Sequence, residues 1–466
     1  MKLNYFNFKK LGNKILLTND FGMYVFVSDD EFKKILLKNV DENSELERRL
    51  LNSNIIYKGS DLEYSSRNKY YLREIKDHVN HSTVLHIFVV TTACNLNCIY
   101  CQANNGNNTR EKPTWFMNKI TAEKSVDIAL QSPDKYLCFE FQGGEPLLNF
   151  EVIRHIVNYT EERKGYHEIR YNIVTNLTAI TDEILDFLLE YNFDISTSLD
   201  GPEYVHNKNR PYTDDRSSFD VVIRTIEKLN SLGVHVGAIQ TTTKNSLKYP
   251  EEIINTYVDL GFDNIFIRPL TPLGKATKNW SHIGYNPKEF LDFYRTCLNE
   301  LININKSGTY IREQYAALFL KRIRGQSINF MELRSPCGAG IGQLAYYPDG
   351  NIFTCDEGRM IYEMGQDAFC LGNVNSDTYK TIISSNTCKT VCSASILESI
   401  PSCCDCVYQP YCGTCPVVNY SDNYDIIEKN PRSFRCQIYS GILDAIFTLL
   451  LENDPATTSV LNTWSN

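Results

Sequence analysis

Residues 84–101 read VLHIFVVTTACNLNCIYC. A β-branched apolar run, Val84 to Val90, stops at a short polar stretch that carries three cysteines, Cys94, Cys98 and Cys101. Runs of this first kind recur at Tyr136 to Phe141, Ile169 to Val174, Phe193 to Leu199, Val234 to Thr241 and Asn264 to Pro269, and each reads as a strand. Between and after them lie amphipathic helical patterns at about Ile120 to Leu130, Phe150 to Arg163, Asp182 to Glu190, Phe219 to Leu232, Pro250 to Leu260 and Pro287 to Ile302. Gly233 and Gly261 stand where a left-handed residue closes a helix, and a strand begins just after each. Strict β/α alternation with right-handed crossovers gives a parallel sheet, and six units give a partial (β/α)6 barrel. Ligands gather at the C-terminal ends of such strands, which is where the three cysteines sit.

Outward from this barrel, assigned to residues 83–305, the first 82 residues form a small α+β unit. Strand patterns at Lys14 to Thr18 and Tyr24 to Val27 flank the turn Asn19-Asp20-Phe21-Gly22, and helical stretches follow at Asp29 to Leu37 and Glu45 to Leu51. The polar segment 65–82 reads as a linker. A bridging segment, 306–336, leads to a cysteine-rich region, 337–440, that opens with a hairpin turning at Pro348-Asp349-Gly350. Its short loops lack the apolar residues for a core and need metal to hold them. Residues 441–466 close the chain with an amphipathic helix.

The chain has 466 residues with 47 Lys and Arg against 56 Asp and Glu, a formal charge of −9, which excludes the basic footprint of nucleic-acid or anionic-lipid binding. No uncharged run approaches a membrane span, and the N-terminus has no apolar signal core. The expected location is the cytoplasm, where structural disulfides rarely persist. The sixteen cysteines are then read as metal ligands or reactive thiols, and eleven of them fall between Cys337 and Cys436.

Three thiolates on one loop match three irons of a [4Fe–4S] cube and leave the fourth iron open. A structural zinc site needs a fourth ligand, and no His lies nearby. CxxxCxxC with an aromatic before the third Cys resembles the signature of the radical S-adenosylmethionine (SAM) superfamily. The resemblance implies that the open iron chelates the methionine end of the cofactor and that one electron then yields a 5′-deoxyadenosyl radical. Gly143-Gly144-Glu145-Pro146, after the second strand, resembles the family's cofactor loop, with Glu145 accepting from the ammonium group. Asn176 and Ser198, near the ends of strands three and four, resemble positions that hold ribose and carboxylate; the alternative is a capping Asn and a turn. Leu199-Asp200-Gly201-Pro202 is a string shared with peptide-modifying members. Arg210 and Arg268 stand where a cofactor carboxylate or a substrate is paired, or where a structural ion pair forms.

The C-terminal cysteines resemble the SPASM extension of this superfamily, which holds one or two auxiliary [4Fe–4S] clusters. Chain order assigns Cys403, Cys406, Cys412 and Cys436 to one cluster and Cys337, Cys355 and Cys415 to the other. The pair Cys412 and Cys415 is one residue closer than the usual pattern, which leaves the fourth ligand of the second cluster open among Cys404, water and substrate. Zinc is the alternative for such thiolates. Cys370, Cys388 and Cys392 fit no ligand position and read as buried thiols. Asp356, after Cys355, corresponds to a carboxylate taken as the catalytic base in sulfatase-maturing relatives; the alternative is a solvated loop acid.

The N-terminal unit resembles winged-helix leader-binding elements, which take a leader peptide onto a sheet edge; a lid or dimerisation unit is the alternative. Together with CGAGIGQLAY, CDEGRM and YQPYCG, the whole chain is most similar to the B-type maturases of His-Xaa-Ser repeat systems. The implied function is a radical SAM oxidoreductase that abstracts hydrogen from a ribosomally made precursor peptide, with an electron donor such as ferredoxin or flavodoxin as a further partner. Formylglycine formation on a sulfatase and a non-catalytic iron–sulfur carrier are the competing readings.

Overall fold

The computed structural model describes residues 2–103, 116–427 and 433–466. In the N-terminal unit, β1 (Lys2–Leu3) pairs with β5 (Ile56–Tyr57), and β2 (Asn7–Leu11), β3 (Lys14–Thr18) and β4 (Tyr24–Val27) form an antiparallel sheet in that order. Helices α1 (Asp29–Leu36) and α2 (Glu45–Asn52) bury Ile35, Leu46 and Leu50 against Ile15, Leu17, Val25 and Val27 of the sheet, making a small core of their own. The segment read as a linker is instead mostly helix α3 (Asp61–Ile75), started by a capping box between Ser60 and Glu63. It buries only Tyr64 and Asn68, so no apolar stripe marked it in the sequence.

The barrel strands are β6 (Leu85–Thr91), β7 (Tyr136–Gly143), β8 (Glu168–Val174), β9 (Asp194–Ser198), β10 (Val236–Thr241) and β11 (Asn264–Arg268), all parallel and in chain order. They alternate with α4 (Lys119–Ala129), α5 (Phe150–Arg163), α6 (Asp182–Glu190), α7 (Glu203–Asn209), α8 (Phe219–Ser231), α9 (Pro250–Asp259), α10 (Lys275–Ile283) and α11 (Pro287–Lys306). Gly233 and Gly261, both at φ +75°, terminate α8 and α9 as the sequence requires. The short helices α7 and α10 were not legible, and both lie against the cysteine loop.

Along β7, Leu137, Phe139 and Phe141 are buried and pack with Ile153, Ile156 and Val157 of α5. The alternate residues Cys138, Glu140 and Gln142 are half-buried and line the opposite, inner face.

The sheet extends beyond six strands. A short β12 (Arg312–Glu313), leading into α12 (Gln314–Ile323), adds to β11. At the other edge β13 (Gln343–Tyr346) pairs in parallel with β6, followed by β14 (Asn351–Phe353) and β15 (Cys370–Asn373), giving ten strands. The expected hairpin thus belongs to the barrel sheet. Its physical reason is burial on both faces: Leu344 and Tyr346 join the helix-side core, with Tyr346 stacked on Phe88, while Ala345 joins Ile87 and Val89 on the other face.

The cysteine-rich region holds α13 (Asp356–Glu363), α14 (Tyr379–Ile383), α15 (Asn386–Ala394) and α16 (Pro416–Asn423), then α17 (Phe434–Glu452) and α18 (Pro455–Trp464). The boundary expected at residue 440 falls inside α17. By length and composition α17 passes as a membrane span, at mean hydropathy 1.3, a run the charged positions Arg435, Asp444 and Glu452 disguise in sequence. In the fold it packs on α11 and α12, and Phe447 meets Tyr24, Phe26, Tyr408 and Tyr411. Burying one such ring contributes about 1.5–3 kcal/mol. This contact ties the N-terminal sheet to the C-terminal region.

Candidate active site and cluster positions

Cys94, Cys98 and Cys101 follow β6 directly, and none of the sixteen cysteines is in a disulfide. Their thiols act on one another: burial and Cys98 push Cys94 up to about 12, and burial lifts Cys98 to about 11 against the pull of Arg210. A thiol group so placed is neutral until a cation takes the proton's place, as iron in a cluster does. The loop is held by backbone bonds from Asn97 N to Pro211 O (2.8 Å), Ile99 N to Asn209 O (2.9 Å), Thr213 N to Asn95 O (3.1 Å) and Lys275 N to Cys101 O (2.9 Å). Asn279 Nδ2 adds a bond to Ile99 O at 2.7 Å. The helices missed in sequence, α7 and α10, supply or flank these contacts.

The glycine pair fits the same place. A Cβ on Gly143 would stand 2.0 Å from Thr91 O, and one on Gly144 would stand 2.2 Å from Ala93 O, so the GGEP loop lies flush against the segment entering Cys94. Glu145 is wholly buried and accepts from Leu147 N (3.1 Å), Thr175 Oγ1 (2.6 Å) and Asn176 N (2.7 Å). Burial raises its pKa against these donors. It therefore braces the ends of β7 and β8, a role its motif alone does not reveal. Pro146 begins the short 3-10 turn that follows. Asn176 Nδ2 donates to Asn95 Oδ1 at 2.8 Å, beside Cys94, while its Oδ1 accepts from Thr178 N at 2.9 Å. Ser198 ends β9, half-buried on the face shared with Ser196. Arg210 is buried under the loop and donates to Tyr100 Oη at 2.8 Å. Arg268 forms an ion pair with Glu332, which also accepts from Tyr439 Oη at 2.9 Å.

The C-terminal cysteines gather in two neighbourhoods. Cys337, Cys355 and Cys415 share one apolar cluster with Met360, Phe369 and Val417. The thiol of Cys412, pushed up to about 12 by burial, interacts with Cys406, Cys436 and Cys403. Gly413, between Cys412 and Cys415, lets this loop lie against the backbone of Glu332, since a Cβ there would stand 2.2 Å from Glu332 O. Cys404 is exposed and acts on Tyr5, away from the Cys337 set. Among the described residues no three Cys, His, Asp or Glu groups converge on a single-ion site. Cys388 is buried with Sγ donating to Gly340 O at 3.4 Å, whereas Cys370 and Cys392 are only half-buried.

Asp356 opens α13, whose N-cap is Cys355. Its Oδ1 accepts from Arg359 Nε at 2.8 Å, and the Arg359 side chain is 2% exposed. Across the barrel interior its charge acts on Glu140, which Gln142 donates to. Glu140, Gln142 and Glu357 were absent from the sequence reading; the period-two alternation of YLCFEFQG was the available signal for the first two.

Residues 88–260 match the family model for the radical SAM superfamily. An uncharacterized protein of Methanocaldococcus jannaschii is 30% identical over 294 residues, 62% of this chain and 88% of the relative. A cysteine-type anaerobic sulfatase-maturating enzyme of Clostridium novyi is 26% identical over 300 residues, 63% of this chain and 76% of its own. Among solved structures, anSMEcpe with bound AdoMet and the Cp18Cys peptide covers 82% of this chain and 99% of its own, at TM-score 0.67 and 22% identity. SuiB of Streptococcus suis bound to the precursor peptide SuiA covers 92% and 99%, at TM-score 0.53 and 14% identity. The family match spans the strands that carry the cysteine loop and the GGEP cradle, and the archaeal relative is matched over most of its length. This chain therefore belongs to the radical SAM superfamily, enzymes that use S-adenosylmethionine with a [4Fe–4S] cluster.

Proposed function

We propose that the enzyme modifies a ribosomally made precursor peptide by hydrogen abstraction, with the leader held on the N-terminal unit. One observation carries this reading: that unit docks on the auxiliary-cluster loop itself. Asn7 Nδ2 donates to Cys406 O at 3.2 Å, Thr18 Oγ1 to Val407 O at 2.7 Å, and Tyr411 Oη to Gly22 O at 2.9 Å. Its sheet leaves β2 and β4 as edge strands, able to take an added strand. The fold shared with the SuiB–peptide complex over 92% of the chain is consistent with the reading.

When bound, the cofactor and its cluster supply one-electron chemistry that removes a hydrogen atom from substrate. The chain's own residues do the rest. Tyr100, Asp200 and Arg210 fix the cysteine loop, Glu145 and Asn176 align the strand ends, and the half-buried polar row Cys138, Glu140 and Gln142 faces the space where a side chain enters. In this reading Asp356 takes a proton as the substrate is oxidised.

Sulfatase maturation is the second reading, favoured by the 26% identity to the Clostridium novyi enzyme. The two separate in one assay. Anaerobically reconstituted enzyme is given a short peptide encoded beside its gene, with and without the leader, and a sulfatase-derived Cys or Ser peptide. Modification only of the leader-bearing peptide is expected; conversion of the sulfatase peptide to formylglycine would replace this reading with the second. Truncating the peptide is the sounder cut, since removing the N-terminal unit would strip its contacts from the Cys403–Cys412 loop.

A further inference from the structure

The two edges of the N-terminal sheet differ in what their backbone groups meet. Leu11 and Lys14 flank the turn Gly12-Asn13 of the β2–β3 hairpin, so this pair, Lys9 with Leu16 and Asn7 with Thr18 are the bonded pairs of the ladder. The amides and carbonyls of Phe8 and Lys10 therefore point away from β3, and no described residue bonds them. Phe8 and Lys10 are also the exposed residues of the strand. On β4 the outward residues are Tyr24 and Phe26, since Asn19 N bonds Met23 O and the inward pairs are Leu17 with Val25 and Ile15 with Val27. That edge is taken. The Arg49 guanidinium donates to Phe26 O and is itself held by Glu31 Oε1 at 2.9 Å. The rings of Tyr24 and Phe26 lie against Phe447, at 5.2 Å and 6.4 Å between centroids.

Beside the free edge of β2 lies an apolar step. Phe8 is 58% exposed with its ring 4.9 Å from that of Phe32 in α1, and Leu36, one turn further along α1, is 54% exposed. Lys10 pairs with Asp29 at 3.3 Å, both side chains more than half exposed, so water screens the pair and a second carboxylate can share the ammonium. Residues 2–19 hold four lysines and no Asp or Glu, in a chain of net charge −9. Lysine on an edge strand keeps a second copy of that strand away. An acidic strand is attracted instead.

We propose that the free edge of β2, rather than that of β4, receives the leader as an added strand, with an apolar side chain on Phe8 and Leu36 and an acidic one at Lys10. Asn7 of the same strand donates to Cys406 O, so the leader lies beside the auxiliary-cluster loop. The inference rests on the peptide-maturase reading and names the docking site within it.

The test uses the full-length protein, the peptide encoded beside its gene, and a version of that peptide with Asp and Glu changed to Asn and Gln. Hydrogen–deuterium exchange in the wild-type complex should slow at residues 7–11 and stay unchanged at 24–27. Lys10→Pro removes one outward N–H and the charge without touching a ladder bond; it should weaken peptide binding about tenfold at wild-type iron content and melting temperature. Lys10→Gln keeps the N–H and should lose only the preference for the acidic peptide over the neutralised one. Slowing at 24–27, or equal affinity of Lys10→Pro and wild type, would overturn the proposal. So would slowing at 7–11 that grows with protein concentration in the absence of peptide, which marks a second copy on the edge. A peptide that is modified yet protects neither strand would overturn the site and leave the maturase reading in place, whereas one neither bound nor modified would remove both.

Discussion

The hydroxyl of Tyr100 lies 3.0 Å and 2.9 Å from the two carboxylate oxygens of Asp200. This joins the residue before the third clustered cysteine to the acid of the Leu199-Asp200-Gly201-Pro202 string. Arg210 donates to the same hydroxyl at 2.8 Å, and Asn209 Nδ2 donates to Asp200 at 2.9 Å. Asp200 is wholly buried, so the string serves as an anchor beneath the cysteine loop.

Tyr100→Phe removes one oxygen from this network and leaves Asp200 and Arg210 each short of a partner. The expected cost is about 1–3 kcal/mol, read as a lower melting temperature, together with reduced iron at the Cys94 loop and normal auxiliary iron. Wild-type melting and iron loading would show that the loop is held without it.

Gly274 tests the other side of the loop. It sits at φ +57°, and a Cβ would stand 2.4 Å from Gln102 O and 2.6 Å from Cys101 O. Gly12, at φ +58° with nothing within 4 Å of its Cβ position, shares the positive φ without the clash. Gly12→Ala should cost about 1–2 kcal/mol and keep all iron. Gly274→Ala should displace Cys101 and abolish reductive cleavage of the cofactor. Equal behaviour of the two variants would show that the close approach of Gly274 to Cys101 and Gln102 does not hold the loop.

The six parallel strands and most of their helices were legible because each buries one face against a helix, and Gly233 and Gly261 punctuate them. Helix α3 was not, because an exposed polar helix has no stripe to read, although Ser60 and Glu63 spell its capping box. The pairing of β13 with β6 was hidden for another reason: partners more than 250 residues apart leave no local pattern. The cysteine loop after the first barrel strand could be read from order and spacing. The bracing of Glu145 by Thr175 and Asn176 could not, since its donors come from the next β/α unit.

Glu313 gives the fold a pH dependence. It is wholly buried and accepts from Tyr294 Oη, from Ala316 N at 2.7 Å and from Ile267 N at 3.4 Å; burial raises its pKa from 4.5 to about 7. The folded protein holds this proton at pH values where the unfolded chain has released it. Stability from this group is therefore full below about 4.5 and falls as pH rises to about 7, by at most about 1.4 kcal/mol per pH unit. Denaturant or thermal unfolding across that window should show a shallower pH dependence for Glu313→Gln, which keeps an acceptor for Ala316 N. Parallel pH profiles for the two proteins would remove Glu313 as the source.

Asp356 carries the last prediction, and its ion pair with Arg359 shapes the test. If it is the base, Asp356→Asn still forms 5′-deoxyadenosine in the presence of peptide, because hydrogen abstraction precedes proton loss. Product then falls by about 10² to 10⁴, the usual contribution of a positioned acid or base. The Asn side chain keeps the volume, yet it leaves the Arg359 guanidinium, 2% exposed, without its charge partner. Arg359→Gln supplies the missing comparison: it breaks the same pair while leaving the Asp356 carboxylate in place. A base should survive that change, so Arg359→Gln should retain most product while Asp356→Asn does not, both at wild-type iron content. Equal losses in the two variants would make Asp356 the holder of Arg359 rather than the base.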